Sequence, residues 1–264
     1  MASLPCQSLA VRVVEGSGGS GTSATIVLVH GSGHTARVWG DVQSHLGHRS
    51  VAVDLPGRAD RIADIADVTL DAAAVSLAAD VDARTDGPLV LVGHSAGGIV
   101  LPALAARLAE RVQHLVFVAG LSARHGETVM ATVRPDAQEM LATRLTAMRA
   151  EFAGCMLEPD PSVAGVRAID AKSAAPLDSL NYMEQAVSWD GIGASLPRTF
   201  VRCTRDRIQS RVLQDALIEN CSATDVIDLE SGHTPAVAVP GELAQILDRI
   251  SEPSYLANHE IIEG

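Results

Sequence analysis

A serine within a glycine-rich motif is the first residue of this sequence that could do chemistry. The motif, residues 93–97, reads Gly-His-Ser-Ala-Gly and centres on Ser95. An apolar run at 89–93 predicts a strand before it, and an alanine-rich run at 96–109 predicts a helix after it. Glycines leave the room that so tight a turn needs, and the helix N-terminus offers N–H groups to a developing negative charge. The sequence therefore predicts Ser95 as a nucleophile, the alternative being a serine that only caps the helix.

Two later residues could activate that serine. A serine hydroxyl is a weak nucleophile at neutral pH, so it needs a base, and the base needs an acid to orient it. His233 follows a predicted strand at 224–229 and is the candidate base, while Asp206 follows a predicted strand at 198–203 and is the candidate acid. Both positions lie at the carboxyl edge of a parallel sheet, where Ser95 also emerges, and the order Ser, Asp, His fits this type of turn.

Other interpretations of the acid and the base stay open. His233 could be a solvent-exposed loop histidine, and Asp206 could form a surface ion pair with an arginine on either side of it. Asp228 and Glu230 compete for the role of the acid. Both competitors are too close in sequence to His233 to come easily from a separate strand end, which favours Asp206.

The negatively charged intermediate of acyl transfer needs two backbone N–H donors. Ala96, directly after the nucleophile, is the first candidate for this oxyanion hole. Ser32 is the second, because it lies in the turn His-Gly-Ser-Gly-His at 30–34, where glycines let the backbone approach a substrate. We expect the two histidines of this turn to be structural, satisfied by backbone groups. Substrate contacts are expected from residues that adjoin these positions: Gly31, His94 and Thr234.

Short apolar runs bounded by Gly, Pro or Asp recur along the chain and predict strands covered on both faces. The segments between them are helix-like, so the sequence predicts an α/β fold with a mostly parallel sheet wrapped by helices. The predicted strands are 9–15, 25–30, 50–54, 89–93, 112–119, 198–203 and 224–229. The predicted helices are 38–46, 70–84, 96–109, 210–219 and 240–250.

The strand rhythm stops between residues 122 and 197, where the sequence becomes helix-like. We expect an inserted helical cap there, with residues 1–121 and 198–264 forming the core. The methionines of the insertion could line an adaptable pocket or fill ordinary gaps in the core. The Gly/Ser stretch at 16–23 predicts a loop without phosphate-binding function, because it lacks a G-K-[ST] ending and a following helix. Residues 251–264 predict a loosely held tail.

Composition narrows the range of partners. The net charge of −12 over 264 residues, without a clustered basic stripe, argues against nucleic acid and anionic membranes, which leaves small molecules as the expected partners. The four cysteines show neither zinc-site nor disulfide spacing, so we expect no metal and a reducing compartment. No signal peptide and no membrane-spanning run is recognisable, so a cytoplasmic location is expected. Monomer and homodimer stay open.

These motifs together resemble one family. The chain is similar to the α/β-hydrolase superfamily along nearly its whole length, through His30-Gly31, the Asp-Leu-Pro-Gly run at 54–57, the elbow at 93–98, Asp206 and His233. Residues 30–39, 203–206 and 231–235 resemble the branch that contains plant methyl esterases and hydroxynitrile lyases. The resemblance implies an α/β-hydrolase fold, a triad of Ser95, His233 and Asp206, and a helical cap.

Two departures from that branch bear on the activity. Its hydroxynitrile lyases carry a threonine in place of Gly31 and a lysine in place of Thr234, so the resemblance favours an esterase over a lyase. Epoxide hydrolases and haloalkane dehalogenases of the superfamily use an aspartate nucleophile, which Ser95 excludes.

The sequence thus predicts a carboxylesterase-like serine hydrolase that cleaves a small ester through an acyl-enzyme on Ser95, without a cofactor. A lactonase, a thioesterase or a hydroxynitrile-lyase-like enzyme of a particular pathway could use the same triad. A receptor-like binding protein with little catalysis is the alternative of another class. The complete triad and the glycines of the oxyanion turn argue for an enzyme.

Overall fold

One seven-stranded sheet organises the chain. The computed structural model describes residues 13–14, 23–57, 68–132, 157–159, 166–168, 182–193 and 195–259. The strands of the sheet run in the order β1-β3-β2-β4-β5-β8-β9, with β1 antiparallel to β3 and all other neighbours parallel. They are β1 (Val13–Val14), β2 (Thr25–Val29), β3 (Ser50–Val53), β4 (Leu89–His94), β5 (Val112–Val118), β8 (Arg198–Cys203) and β9 (Asp225–Leu229).

Helices cover both faces of the sheet. The helices α2, α3 and α5 pack on one face and α1 and α7 on the other, each with its own cluster of buried apolar side chains. The central strands β2, β3 and β4 are buried along their whole length, as expected for parallel strands with helices on both sides. The helices are α1 (Gly40–His45), α2 (Leu70–Asp82), α3 (Gly97–Leu108), α4 (Val129–Thr132), α5 (Arg211–Asn220), α6 (Pro235–Ala238), α7 (Pro240–Ser251) and α8 (Pro253–His259).

The α/β class and the mostly parallel sheet predicted from the sequence are confirmed. Each of the six parallel strands of this sheet begins and ends within one residue of its predicted bounds. The predicted helix at 38–46 is divided into a 3-10 turn, Ala36–Trp39, and α1. Of the first predicted strand, 9–15, and the predicted loop, 16–23, the greater part lies outside the described residues.

The prediction of a loose tail after residue 251 is wrong for residues 253–259, which form α8. Tyr255 and Leu256 pack against the apolar cluster under α7, and the Tyr255 hydroxyl donates a hydrogen bond to the Asp225 carboxylate at the start of β9. Two apolar side chains on an otherwise polar segment are too weak a periodic signal to predict this helix.

Fewer than half of the residues of the predicted cap are among the described residues. They include α4 and a short antiparallel pair, β6 (Leu157–Pro159) with β7 (Val166–Ala168), which the sequence did not predict because three-residue strands show no periodicity. The cap at 122–197 therefore stays a prediction.

The two ends of this insertion are joined to each other. The backbone N–H of Gly126 donates to the carbonyl of Val187 at 2.9 Å, and the N–H of Val187 donates to the carbonyl of Glu127 at 2.9 Å. The indole N–H of Trp189 donates to the carbonyl of Ala123 at 2.9 Å. The segment after β5 and the segment before β8 are therefore hydrogen-bonded to each other at the two ends of the predicted insertion.

Candidate active site

Ser95 occupies a strained turn between β4 and α3. Its φ of 48° lies in the left-handed region, which costs a non-glycine residue on the order of 1–3 kcal/mol and persists only where the surroundings enforce it. Backbone bonds do so here, because Ser95 N–H donates to the carbonyl of Val118 at 3.2 Å and the Ser95 carbonyl accepts from Leu121 N–H at 2.8 Å. The turn therefore presents the Ser95 side chain at the carboxyl edge of the sheet.

Both glycines of the motif are required by close backbone contacts. A Cβ atom on Gly93 would lie 2.7 Å from the carbonyl oxygen of Gly97, and one on Gly97 would lie 2.6 Å from the carbonyl oxygen of His30. Real Cβ atoms do not approach backbone atoms so closely. The contact at Gly97 also brings the end of β2 against the start of α3, next to the nucleophile.

The structure brings Ser95, His233 and Asp206 together in one chain of hydrogen bonds. His233 Nε2 lies 3.0 Å from Ser95 Oγ, and His233 Nδ1 lies 2.7 Å from Asp206 Oδ2. A carboxylate only accepts hydrogen bonds, so Nδ1 carries the proton and Nε2 is left as the acceptor that faces the serine hydroxyl. This is the tautomer that a general base needs.

Asp206 is held as a buried carboxylate. Its side chain is 0% exposed, and Oδ1 accepts the backbone N–H groups of Ile208 at 2.7 Å and Gln209 at 2.9 Å. These donors fix the carboxylate, so that Oδ2 remains directed at His233. The two competing acids lie elsewhere, since Asp228 binds Arg202 and Glu230 binds Arg205.

Backbone hydrogen bonds tie the acid loop after β8 to the base loop after β9. Thr204 N–H donates to the carbonyl of Leu229 at 2.9 Å, and Arg205 N–H donates to the carbonyl of Ser231 at 3.0 Å. The buried amide of Gln214 on α5 also accepts from Cys203 N–H and donates to the Cys203 carbonyl, both at 3.0 Å. The acid and the base are therefore carried by loops that the sheet holds in register.

The turn after β2 is fixed by His30. Leu55 N–H donates to His30 Nε2 at 3.1 Å, so His30 Nδ1 carries the proton and donates to the carbonyl of Gly31 at 2.8 Å. In a trans peptide the C=O and the following N–H point in opposite directions, so this bond also fixes the direction of Ser32 N–H. His34 Nδ1 likewise contacts the carbonyl of Ser32 at 3.0 Å. The structural roles predicted for both histidines are confirmed.

Two backbone donors beside Ser95 remain available. Within the part of the chain that the structure describes, neither Ser32 N–H nor Ala96 N–H has a protein acceptor. Ala96 directly precedes α3, and the first backbone N–H groups of a helix have no acceptor within that helix. This arrangement can stabilise negative charge on an oxygen.

The three residues expected to contact substrate lie in different settings. Gly31 is buried against the elbow, where a Cβ atom would lie 2.8 Å from His94 Nδ1 and 3.0 Å from Ser95 Cβ. His94 is 1% exposed, and its Nε2 lies 2.7 Å from the carbonyl oxygen of His233. Thr234 is partly exposed and precedes α6. The contact between His94 and His233 could not be read from the sequence, because 139 residues separate them.

Burial, with a smaller contribution from the neighbouring His233, lowers the pKa of His94 from 6.5 to about 3. His94 is therefore neutral at physiological pH. Its Nε2 faces a carbonyl oxygen, which only accepts, so Nε2 carries the single ring proton.

No metal or membrane feature accompanies this site in the described ranges. Among those residues, no group of three or more His, Cys, Asp or Glu side chains is placed to hold a metal ion. None of the helices described there is both long and apolar enough to cross a bilayer.

A nucleophile elbow on a helix-wrapped parallel sheet, with an acid and a base at later strand ends, defines a class of hydrolytic enzymes. The sequence model of the alpha/beta hydrolase family matches residues 26–246, and the chain belongs to that family.

Curated relatives that match over most of their length include a lipase, plant methylesterases and norfluorocurarine synthase 2 of Strychnos. Lipase LipV of Mycobacterium tuberculosis is 30% identical over 242 residues, which cover 85% of this chain and 92% of the relative. Methylesterase 3 of Arabidopsis thaliana is 27% identical over 251 residues, which cover 86% and 95%. The relatives thus include the plant methylesterases that the sequence motifs resemble.

Solved structures share the fold. A pyrethroid hydrolase from Sphingobium faniae superposes with a TM-score of 0.64 at 20% identity, covering 88% of this chain and 98% of that one. Polyneuridine aldehyde esterase superposes with a TM-score of 0.62 at 19% identity, covering 87% and 100%. At these identities the likeness concerns the fold alone.

Proposed function

We propose that this protein is a serine hydrolase that cleaves a small carboxylic ester through an acyl-enzyme on Ser95. The observation that carries the proposal is the hydrogen-bond chain from Ser95 Oγ through His233 to Asp206, with heavy-atom distances of 3.0 and 2.7 Å. An ordinary surface serine has no such base beside it, and a base without an acid lacks a fixed tautomer.

Acylation begins when Ser95 Oγ attacks the ester carbonyl carbon and His233 Nε2 takes the hydroxyl proton. The carbonyl oxygen becomes an oxyanion, which the N–H groups of Ser32 and Ala96 stabilise. Asp206 stabilises the imidazolium that forms. The tetrahedral intermediate then breaks its bond to the alkoxy oxygen, which takes the proton from Nε2 and leaves as the alcohol.

Deacylation repeats these steps with water. His233 Nε2 takes a proton from a water molecule whose oxygen attacks the acyl carbon on Ser95. The second oxyanion uses the same two donors, and its collapse returns the proton to Ser95 Oγ and releases the carboxylic acid. The proposed cycle is balanced without a cofactor or metal.

The oxyanion turn supports an esterase more than a lyase. The threonine that hydroxynitrile lyases of the resembling branch carry at position 31 would place its Cβ 2.8 Å from His94 Nδ1 and 3.1 Å from the His94 carbonyl oxygen. This turn conformation therefore suits glycine. The names of two curated relatives, a lipase and a methylesterase, point in the same direction.

Labelling with a fluorophosphonate tests the acyl-transfer chemistry directly. The reagent phosphonylates an activated serine, so intact mass should rise by one adduct for the wild-type protein and for Ser44→Ala, which removes an exposed hydroxyl on α1. Ser95→Ala should acquire no adduct and should lose ester hydrolysis by several orders of magnitude. A wild-type protein without an adduct would instead favour a binding protein of the same fold.

The substrate class needs a second measurement. A series of 4-nitrophenyl esters from acetate to decanoate should show a cutoff in kcat/KM where the acyl chain exceeds the pocket. Matched lactones and thioesters, with product analysis, distinguish the alternative acyl substrates. Turnover of those compounds with none of the esters would contradict the ester assignment and leave the triad intact.

A further inference from the structure

His94 has a placement that the proposed reaction does not use. It is the last residue of β4, directly before the nucleophile, and it is almost fully buried. Its ring contacts three other rings, with centroid distances of 5.2 Å to His233, 6.0 Å to His34 and 6.4 Å to Trp39. A polar ring in such a position costs free energy unless its nitrogens are satisfied.

Within the described ranges, one of the two nitrogens of this ring has a hydrogen-bond partner. Nε2–H donates to the carbonyl of His233 at 2.7 Å. Among the described residues, Nδ1 has no hydrogen-bond partner, and it faces Gly31. An apolar side chain would fill this space without burying an unpaired acceptor, so the bond from Nε2 is the feature that a histidine supplies here.

The bond acts on the backbone of the catalytic base. In the described part of the chain, no other hydrogen bond reaches the N–H or C=O of His233, whereas Leu229 and Ser231 before it are held by the acid loop. The imidazole of His233 must reach Asp206 and Ser95 at the same time. A small rotation of its backbone would move the ring away from Asp206 or away from Ser95, so that one of the two contacts would lengthen.

We propose that His94 is a positioning residue for His233, because its Nε2–H fixes the backbone carbonyl from which the catalytic ring is directed toward Ser95. The inference rests on the proposed function. His94 joins the turn at Gly31, the nucleophile that follows it and the loop of the base, so it sets the distances among all three. This indirect role does not require the direct substrate contact expected from the sequence, which stays a prediction.

Two substitutions of equal length separate the hydrogen bond from the volume. In His94→Gln the amide nitrogen reaches about as far as imidazole Nε2 and can donate, whereas His94→Met fills the same space without a donor. We expect His94→Met to lower kcat for the best ester by about 10- to 100-fold with KM within twofold, because a shift of about 1 Å in a catalytic group costs up to that much. His94→Gln should keep at least a third of wild-type kcat.

A spectroscopic signal of the base is independent of turnover. The proton on His233 Nδ1, shared with Asp206, gives a low-field ¹H NMR resonance that requires the two groups to be aligned. We expect this resonance in the wild type and in His94→Gln, and its loss by broadening in His94→Met. If the wild type hydrolyses no ester and takes no fluorophosphonate, the proposed function fails while this resonance still tests the position of His233.

A buried histidine elsewhere in the sheet provides the control. His114 on β5 is fully buried and contacts Thr199 Oγ1 through Nε2 at 2.8 Å, away from the carboxyl edge. His114→Met should therefore leave kcat and the low-field resonance unchanged. Near-ultraviolet circular dichroism checks that His94→Met folds. If it does not, His94→Asn replaces it, because the shorter amide of asparagine does not reach the carbonyl of His233. Wild-type kcat in a folded variant without the donor, or no rescue by glutamine, would overturn the proposal.

Discussion

Acidification should destabilise this protein through His94. The pKa of this side chain is lowered from 6.5 to about 3 in the folded state, chiefly by burial. Between these values the unfolded chain binds a proton that the folded chain does not bind, so the free energy of unfolding falls as the pH falls. The contribution is fully present above pH 6.5 and is lost progressively as the pH drops toward 3.

The size of this effect follows from linkage. Each pH unit well inside the window changes the free energy of unfolding by about 1.36 kcal/mol, and integration from pH 7 to pH 4.5 gives about 2.6 kcal/mol for this one residue. Other groups titrate over the same range. The difference between the wild type and His94→Gln isolates the histidine, because glutamine keeps the hydrogen bond but does not titrate.

Urea unfolding at pH 7.0, 6.0, 5.0 and 4.5 measures this difference. The unfolding free energy of the wild type minus that of His94→Gln should fall by about 2.6 kcal/mol between pH 7.0 and pH 4.5. A gap that stays constant to within about 0.5 kcal/mol would show that His94 titrates normally in the folded protein, and the assignment of a neutral, buried Nε2–H donor would be refuted.

Three further outcomes follow from other contacts. Gly31→Ala should lower the melting temperature and kcat/KM together, because its Cβ would lie 2.8 Å from His94 Nδ1 and overpacking costs about 1–3 kcal/mol. Differential scanning calorimetry and ester kinetics measure the two effects. Asp206→Asn should lower kcat by about 10⁴-fold while the matched Asp228→Asn changes it less than twofold, and equal losses would contradict the choice of acid. Tyr255→Phe should lower the free energy of unfolding by about 1 kcal/mol in urea with kcat unchanged, because its hydroxyl bonds Asp225 far from the site.

The sheet was predictable because its signals are local. The central strands β2, β3 and β4 are short runs of mostly Val, Leu, Ile and Ala that end at a glycine, an aspartate or a histidine. The glycines at positions 93 and 97 likewise indicate the tight turn at Ser95. The placement of Ser95, Asp206 and His233 at one edge then followed from the rule that parallel strands present their carboxyl ends at the same edge of a sheet. These inferences need no knowledge of distant contacts.

Other features depend on contacts that no local pattern records. The helix α8 forms because Tyr255 reaches the start of β9, a partner 30 residues earlier in the chain. The donor–acceptor pair of His94 and the His233 carbonyl joins residues that come together only when the whole sheet is assembled. Periodicity predicts which face of an element is buried, but it does not predict which polar atom meets which across the core.

The hydrogen bonds of Ala123, Gly126 and Glu127 with Val187 and Trp189 close the base of the predicted insertion, which has a consequence for evolution. Because these bonds hold the two ends together, the length of the segment between them affects the core mainly through its closure entropy. Doubling such a segment costs only about 0.6 kcal/mol in closure entropy. Insertions between residues 133 and 181 are thus tolerated at little cost in closure entropy, whereas Val129 and Tyr182, which are buried in the apolar cluster under α2 and α3, are expected to tolerate little change.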